Sequence, residues 1–226
     1  RLTPFLEGPI VGIFFSYKIR EIESLSIKHQ LESLFEYNTG ISHRELIERS
    51  LSNSPSAASC GEKLYEAASI DHIKYVQDWR GQYKGDAAAI LKPINTKEVS
   101  HILKLANENG ICVVPQGGNT SLCGAATPDN SGTSIVISFE KMNKIRQFNK
   151  ESQTITVESG VILSQIHNVV EKENLFFPLS LGAQGSCMIG GNLSTNAGGV
   201  NVLKYGNTRE LCLGLEVVLP NGKKQF

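Results

Sequence analysis

Two stretches of the chain combine residue types in a way that suits a large anionic ligand. The first is Pro115 to Leu122, PQGGNTSL, in which Gly117 and Gly118 precede Asn119, Thr120 and Ser121. Adjacent glycines let the backbone turn sharply and come close to another group, so several N–H groups and short polar side chains can point into one concavity. A doubly charged pyrophosphate needs such a concavity. The same composition also suits a plain glycine-rich turn after a buried strand, and this loop alone does not separate the two readings. The second stretch, Pro178 to Gly199 (PLSLGAQGSCMIGGNLSTNAGG), carries no charged residue and holds six of the chain's 21 glycines. Here Gly182, Gly185, Gly190, Gly191 and Gly198 would permit close approach of a flat ring and its linker, while Ser186, Asn192, Thr195 and Asn196 would supply hydrogen bonds. Cys187 falls in the same wall and reads as a small packing residue rather than a reactive thiol. A glycine loop without a ligand is the alternative, and the presence of both stretches in one chain argues against it.

Other chemistries lack their signatures. The sequence has no G-x-G-x-x-G, no G-x-x-x-x-G-K-[ST] and no His-Glu-x-x-His, and its five histidines, at 29, 43, 72, 101 and 167, are scattered. No metal site is expected, and His101 and His167 read as helix-surface residues without a catalytic role. The five cysteines, at 60, 112, 123, 187 and 212, never form Cys-x-x-Cys and read as a reduced set. Asn119-Thr120-Ser121 and Asn192-Leu193-Ser194 match the glycosylation sequon but lie where a glycan would collide with a ligand. Trp79 reads as core or domain-edge packing. With 22 Lys+Arg against 22 Asp+Glu, the electrostatic footprint of nucleic-acid binding is missing. The longest apolar run, Pro9 to Tyr17, falls far short of the roughly 20 residues of a membrane-spanning helix.

The elements that must position the two loops follow from periodicity. Residues 1–60 read as an N-terminal arm with a loosely helical pattern at 19–36 and a serine-rich linker at 50–59, and residues 61–226 as the domain that carries the loops. The run Ala87 to Pro93 precedes Asn95, which can cap a helix with Glu98 three residues on. Val99, Ile102, Leu103 and Ala106 mark its apolar face, and Gly110 its end. Strands are expected at 111–114, 134–138, 154–158 and 215–219, with a helix over 163–173. Asn221-Gly222 signals a hairpin whose return strand would begin where the sequence stops, so the chain reads as incomplete at that end. It begins at Arg1, which leaves a removed targeting peptide open.

From about Tyr75 to Gly222 the sequence resembles the vanillyl-alcohol-oxidase-type flavoproteins, in particular the D-2-hydroxyacid dehydrogenases that include D-2-hydroxyglutarate dehydrogenase, D-lactate dehydrogenase and the glycolate oxidase flavin subunit. The resemblance rests on PQGGNTSL, on VESGV at 157–161, on the long run from Pro178 to Asn207, and on GLEVVLPNG at 214–222. It implies an α+β fold, a two-subdomain FAD-binding domain of the PCMH type, truncated before a substrate domain. FAD would lie between the subdomains. Pro115, Gln116, Gly117, Gly118, Asn119, Thr120 and Ser121 would match the pyrophosphate loop, and Gly160 would lie close to the flavin. Pro178, Gly182, Gly185, Ser186, Cys187, Ile189, Gly190, Gly191, Asn192, Thr195, Asn196, Ala197 and Gly198 would wrap the cofactor, and Val217 would contact its adenine end. Relatives with covalent flavin often carry His in the first loop. Asn119 stands there instead, which implies noncovalent FAD. The implied activity is oxidation of a D-2-hydroxyacid to the 2-oxoacid by hydride transfer to flavin N5. The substrate, the catalytic residues and any metal would belong to the missing C-terminal domain, and the electron acceptor stays open. An enolpyruvyl reductase, an alkyl-glycerone-phosphate synthase or a non-catalytic FAD-binding module are the other readings. No nucleic-acid partner and no transmembrane segment are expected, a homodimer is admitted, and the location is expected to be cytoplasmic, or mitochondrial in a eukaryotic source.

Overall fold

The computed structural model describes residues 12–13 and 72–226. The expected arm, its helical pattern at 19–36 and the linker at 50–59 lie outside the described residues, apart from a two-residue strand, β1 (Gly12–Ile13). After a single helical turn, α1 (Ile73–Val76), comes the unit that the periodicity predicts: β2 (Ala89–Leu91), α2 (Thr96–Glu108) and β3 (Val113–Gln116). Asn95 caps α2 by accepting from the Glu98 N–H at 3.0 Å, and the Glu98 carboxylate reaches back to the Ile94 N–H. The helix buries Val99, Ile102, Leu103 and Ala106. It ends at Gly110, at φ +63°, where the Ile111 N–H donates to the Ala106 carbonyl.

Next come β4 (Ile135–Ser138), β5 (Ile145–Asn149), β6 (Thr154–Val157), α3 (Leu163–Glu171), α4 (Ile189–Ser194), α5 (Val202–Tyr205), a 3-10 turn (Thr208–Leu211), β7 (Glu216–Val218) and β8 (Lys224–Gln225). β4 lies between β2 and β3 and runs parallel to both, buried along its whole length as a central parallel strand should be. β5 and β6 form an antiparallel hairpin, and β7 pairs with β1 on one side and β8 on the other. The Asn221-Gly222 hairpin forms as expected, with the Leu219 N–H donating to the Lys223 carbonyl.

Apolar burial divides into two main cores. One joins β2, α2 and β4 through Leu91, Val99, Ile102, Leu103 and Ile137, and includes Val218 of β7. The other joins β6, α3 and the second glycine segment through Val157, Val161, Leu163, Ile166, Leu179 and Ile189. The segment between the 3-10 turn and β7 spans both, because Leu215 packs on the second core while Val218 lies in the first. Two cores agree with the expected two-subdomain α+β fold. Trp79 belongs to neither: it is 65% exposed, which rules out the core half of the expected core or domain-edge packing.

Leu91 is almost fully buried in the first core. Leu91→Ala is expected to remove about 2–5 kcal/mol of stability, read as a lower urea midpoint at unchanged slope.

Candidate functional site

The two glycine stretches meet. The first loop leaves the C-terminal end of β3, the edge of a parallel sheet at which ligands commonly bind. A Cβ added at Gly118 would lie 2.0 Å from the Ser186 carbonyl oxygen, and one at Gly117 would lie 3.4 Å from Met188 Cβ. Backbone therefore packs directly on backbone here, at a separation no other residue type permits at position 118. Among the described residues, the N–H groups of Gly117, Gly118, Asn119 and Thr120 donate to no protein acceptor. Four such donors beside a seam of glycine are suited to an anion rather than to the protein interior.

VESGV forms the base of the second loop. Ile189 N–H donates to the Val161 carbonyl at 2.9 Å, Gly190 N–H to the Ser159 carbonyl at 2.9 Å, and Leu163 N–H to the Cys187 carbonyl at 3.1 Å. Glu158, buried, accepts from the Lys144 N–H at 2.7 Å and from Arg146 Nε at 2.8 Å, which ties this base to the β5 strand. From the other side, Arg209 donates to the carbonyls of Leu193 and Ser194, where its positive charge also suits the C-terminal end of α4. Gly182, Gly185 and Gly191 have nothing within 4 Å of an added Cβ, so their bare backbone faces open space.

The structure divides the expected site residues by what their side chains touch. The Thr120 side chain has no hydrogen-bond partner among the described residues. Gln116 and Asn119 turn inward. Gln116 is buried and donates to the carbonyls of Tyr75 and Ala126, while Asn119, at φ +51°, donates to those of Lys74 and Gln77. The Ser121 hydroxyl sits 3.1 Å from Cys123 Sγ. Asn192 is buried and donates to Cys187 Sγ at 3.4 Å, Thr195 donates to the Gly191 carbonyl, and Asn196 accepts from the Arg209 N–H. Ala197 gives its carbonyl to Thr208, and Pro178 gives its carbonyl to Asn201. Most of these side chains thus also bond within the protein, and beside them stand the amides of the first loop and the open backbone faces at Gly182, Gly185 and Gly191.

Three glycines also serve packing. A Cβ at Gly160 would fall 1.9 Å from the Phe139 carbonyl, one at Gly190 2.7 Å from Ser159 Cβ, and one at Gly198 3.0 Å from Asn207 Oδ1. Cys187 and Ile189 are buried in the second core. Val217 is half-buried on β7, in the stretch that spans the two cores, and Pro115 lies in β3 itself. His167 shares a hydrogen with the Leu179 carbonyl at 2.8 Å, and no group of three or more metal-ligating side chains forms among the described residues.

Residues 87–225, more than half of the chain, match the FAD binding domain family. The chain belongs to this family. Its cofactor is accordingly FAD, and the residues present fit it: unpaired amides along the first loop and open glycine backbone along an uncharged second one. Among relatives, the chain is 42% identical over 74% of its length to the D-2-hydroxyglutarate–pyruvate transhydrogenase of Saccharomyces cerevisiae, covering 34% of that protein. It is 40% identical over 70% of its length to D-2-hydroxyglutarate dehydrogenase of Xanthomonas citri pv. viticola, covering 33% of it, and 43% identical over 64% to mitochondrial D-2-hydroxyglutarate dehydrogenase of Bos taurus, covering 26%. The chain thus spans about a third or less of these relatives. Among solved structures, an alkyldihydroxyacetonephosphate synthase superposes over 80% of the chain and 34% of its own, with a TM-score of 0.66 at 20% identity. The 6-hydroxy-D-nicotine oxidase of Arthrobacter nicotinovorans does so over 72% and 34%, with a TM-score of 0.60 at 23% identity. Both share the fold of this FAD binding domain.

Gly118→Ala is expected to force the loops apart and weaken FAD binding by more than about tenfold, because the obstructing atom is a backbone oxygen. Gly117→Ala, in ordinary contact with Met188, loses much less; flavin fluorescence titration of the two variants checks the contrast. Thiol chemistry gives a second readout. Cys123 is exposed and the Ser121 hydroxyl, then the Ala125 N–H, hold its pKa below the usual thiol value, whereas burial raises those of Cys187 and Cys212. Iodoacetamide is therefore expected to label Cys123 first and at lower pH, with Cys187 protected until the domain unfolds, as peptide mass mapping would show.

Proposed function

We propose that the chain is the FAD-binding part of an oxidoreductase that converts a D-2-hydroxyacid to its 2-oxoacid, with FAD bound noncovalently. The observation that carries the reading is the junction of Gly118 with Ser186, which puts unpaired amides and open glycine backbone side by side. Relatives named D-2-hydroxyglutarate dehydrogenase, 40% to 43% identical, support the reaction class. Asn119 supports noncovalent attachment, since it offers no nucleophile and directs its amide to the Lys74 and Gln77 carbonyls.

FAD supplies the hydride acceptor for oxidation at the carbon that bears the hydroxyl. The residues of this chain bind and orient it. The amides of 117–120 hold the pyrophosphate, and the backbone at Gly182, Gly185 and Gly191 lies along the remainder. The β5–β6 hairpin and the Glu158–Arg146 pair keep the base of the second loop fixed. Recognition of the acid and removal of the hydroxyl proton are assigned to the part of the relatives' length beyond this span. Likenesses to the synthase and the nicotine oxidase rest on fold alone and favour no second reaction.

The purified chain is expected to perturb the absorbance of added FAD and quench its fluorescence, to release all flavin into the supernatant on acid precipitation, and to oxidise no hydroxyacid. Free-flavin spectra at micromolar protein would overturn the cofactor site, and flavin retained in the pellet would overturn noncovalent attachment. The chain in its full-length context should reduce an artificial acceptor with D-2-hydroxyglutarate, D-lactate or glycolate; inactivity with all three would overturn the substrate class.

A further inference from the structure

The first glycine loop takes its shape from a short segment that precedes the family match at residue 87. Asn119 Nδ2 donates to the Gln77 carbonyl at 2.8 Å and the Lys74 carbonyl at 3.2 Å, and Gln116 Nε2 donates to the Tyr75 carbonyl at 2.8 Å. Arg80 Nη2 donates to the Leu122 carbonyl, just past the loop. Tyr83 fills the space beside Gly124, where an added Cβ would lie 2.6 Å from the ring. The loop is therefore gripped at its start, its middle and its exit by residues 74–83.

That segment is itself stiff. Gln77 and Lys84 form an antiparallel bridge, Asp78 N–H donates to the Tyr83 carbonyl at 2.9 Å, and the turn passes through Gly81 at φ +69°. Asp78, only 3% exposed, accepts the Tyr83 N–H at 2.8 Å and stands 3.5 Å from Arg80 Nε. The Tyr83 N–H, followed by those of Gln82 and Arg80, holds the Asp78 carboxyl below the usual range, so the hairpin keeps its anion across neutral pH. A loop of paired glycines without such anchors would have to be ordered by its ligand, at the expense of affinity.

We propose that residues 74–83 form a clamp that presets the first glycine loop for the FAD pyrophosphate, with Asn119 and Arg80 as positioning residues. The proposal rests on the FAD reading of that loop. Both side chains act through carbonyl oxygens of the protein, so their part is to fix where the amides of 117–120 stand.

The test uses the whole chain and FAD titration by flavin fluorescence. Asn119→Gly keeps the positive φ and removes both side-chain bonds, Arg80→Met keeps the aliphatic stem and removes the donor, and Arg80→Lys restores a donor. Ile102→Val, in the first core away from the loops, serves as a stability control. Asn119→Gly and Arg80→Met are each expected to raise the FAD Kd on the order of tenfold. Arg80→Lys should recover part of the loss, while the apo thermal midpoints stay within the shift seen for Ile102→Val. Wild-type affinity in both variants would overturn the clamp, as would losses that simply track a lowered midpoint without rescue by Lys. Failure of the unmodified chain to bind FAD would instead overturn the reading of the site, and the clamp with it.

Discussion

The architecture turns on one close approach: the backbone at Gly118 packed against the carbonyl of Ser186, where an added Cβ would stand 2.0 Å from oxygen. Each partner is fixed by a different hydrophobic core. The first loop is the continuation of β3, whose register is set by β4, and the second is pinned to VESGV above α3. Because no side chain intervenes, the spacing of the loops is a property of two backbones, and it inherits the rigidity of both cores. The stretch from Leu215 to Val218 links the cores, with Leu215 packed on one and Val218 buried in the other.

Glycine serves two different purposes in this arrangement. At Gly118, Gly160, Gly190 and Gly199 the missing Cβ makes room for the protein itself, with a carbonyl or a serine side chain occupying the space. At Gly182, Gly185 and Gly191 nothing of the protein lies within 4 Å of the added atom. Gly118 belongs to the first group and still keeps an N–H that donates to no protein acceptor among the described residues. Substitution is therefore blocked most strongly where the protein itself fills the space, at the first group.

Much of the scaffold was legible because its signals are local. The Asn95–Glu98 cap, the apolar face of α2 and the αL glycine at 110 follow from spacing alone, and the structure reproduces each. Where pairing decides, the sequence was less informative. The strand expected at 111–114 runs instead over Val113–Gln116, because its partner is β4 in register Val113↔Ile135 through Gln116↔Ser138. Pro115 is accommodated there because β3 is an edge strand and needs no donor from it. β5 went unseen, since IRQFN is mostly polar and its Ile145 and Phe148 gain burial only from the second core. The helix α4 was hidden by Gly190 and Gly191, poor helix formers, of which Gly190 is required by the approach to Ser159. The loops themselves were recognisable by composition, but which of their side chains turn inward was not, because Asn119 and Gln116 are committed by carbonyls some forty residues earlier in the chain.

The charge pattern follows from the same division of labour. Neither glycine stretch carries a charged residue, and the two guanidinium groups that touch them, Arg80 and Arg209, donate to main-chain carbonyls at Leu122, Leu193 and Ser194. These cations therefore tie down carbonyls of the loop backbone, while the amides of 117–120 donate to no protein acceptor among the described residues. An anion met by a flexible lysine would tolerate loops that move, since a point charge on a long stem can follow it. An anion met by amide hydrogens has no such latitude, because each donor is fixed by the peptide plane that bears it. A site built on such donors is favoured by a backbone positioned before the ligand arrives, and the glycine contacts, the inward-turned Asn119 and Gln116 and the two arginine struts each constrain that backbone.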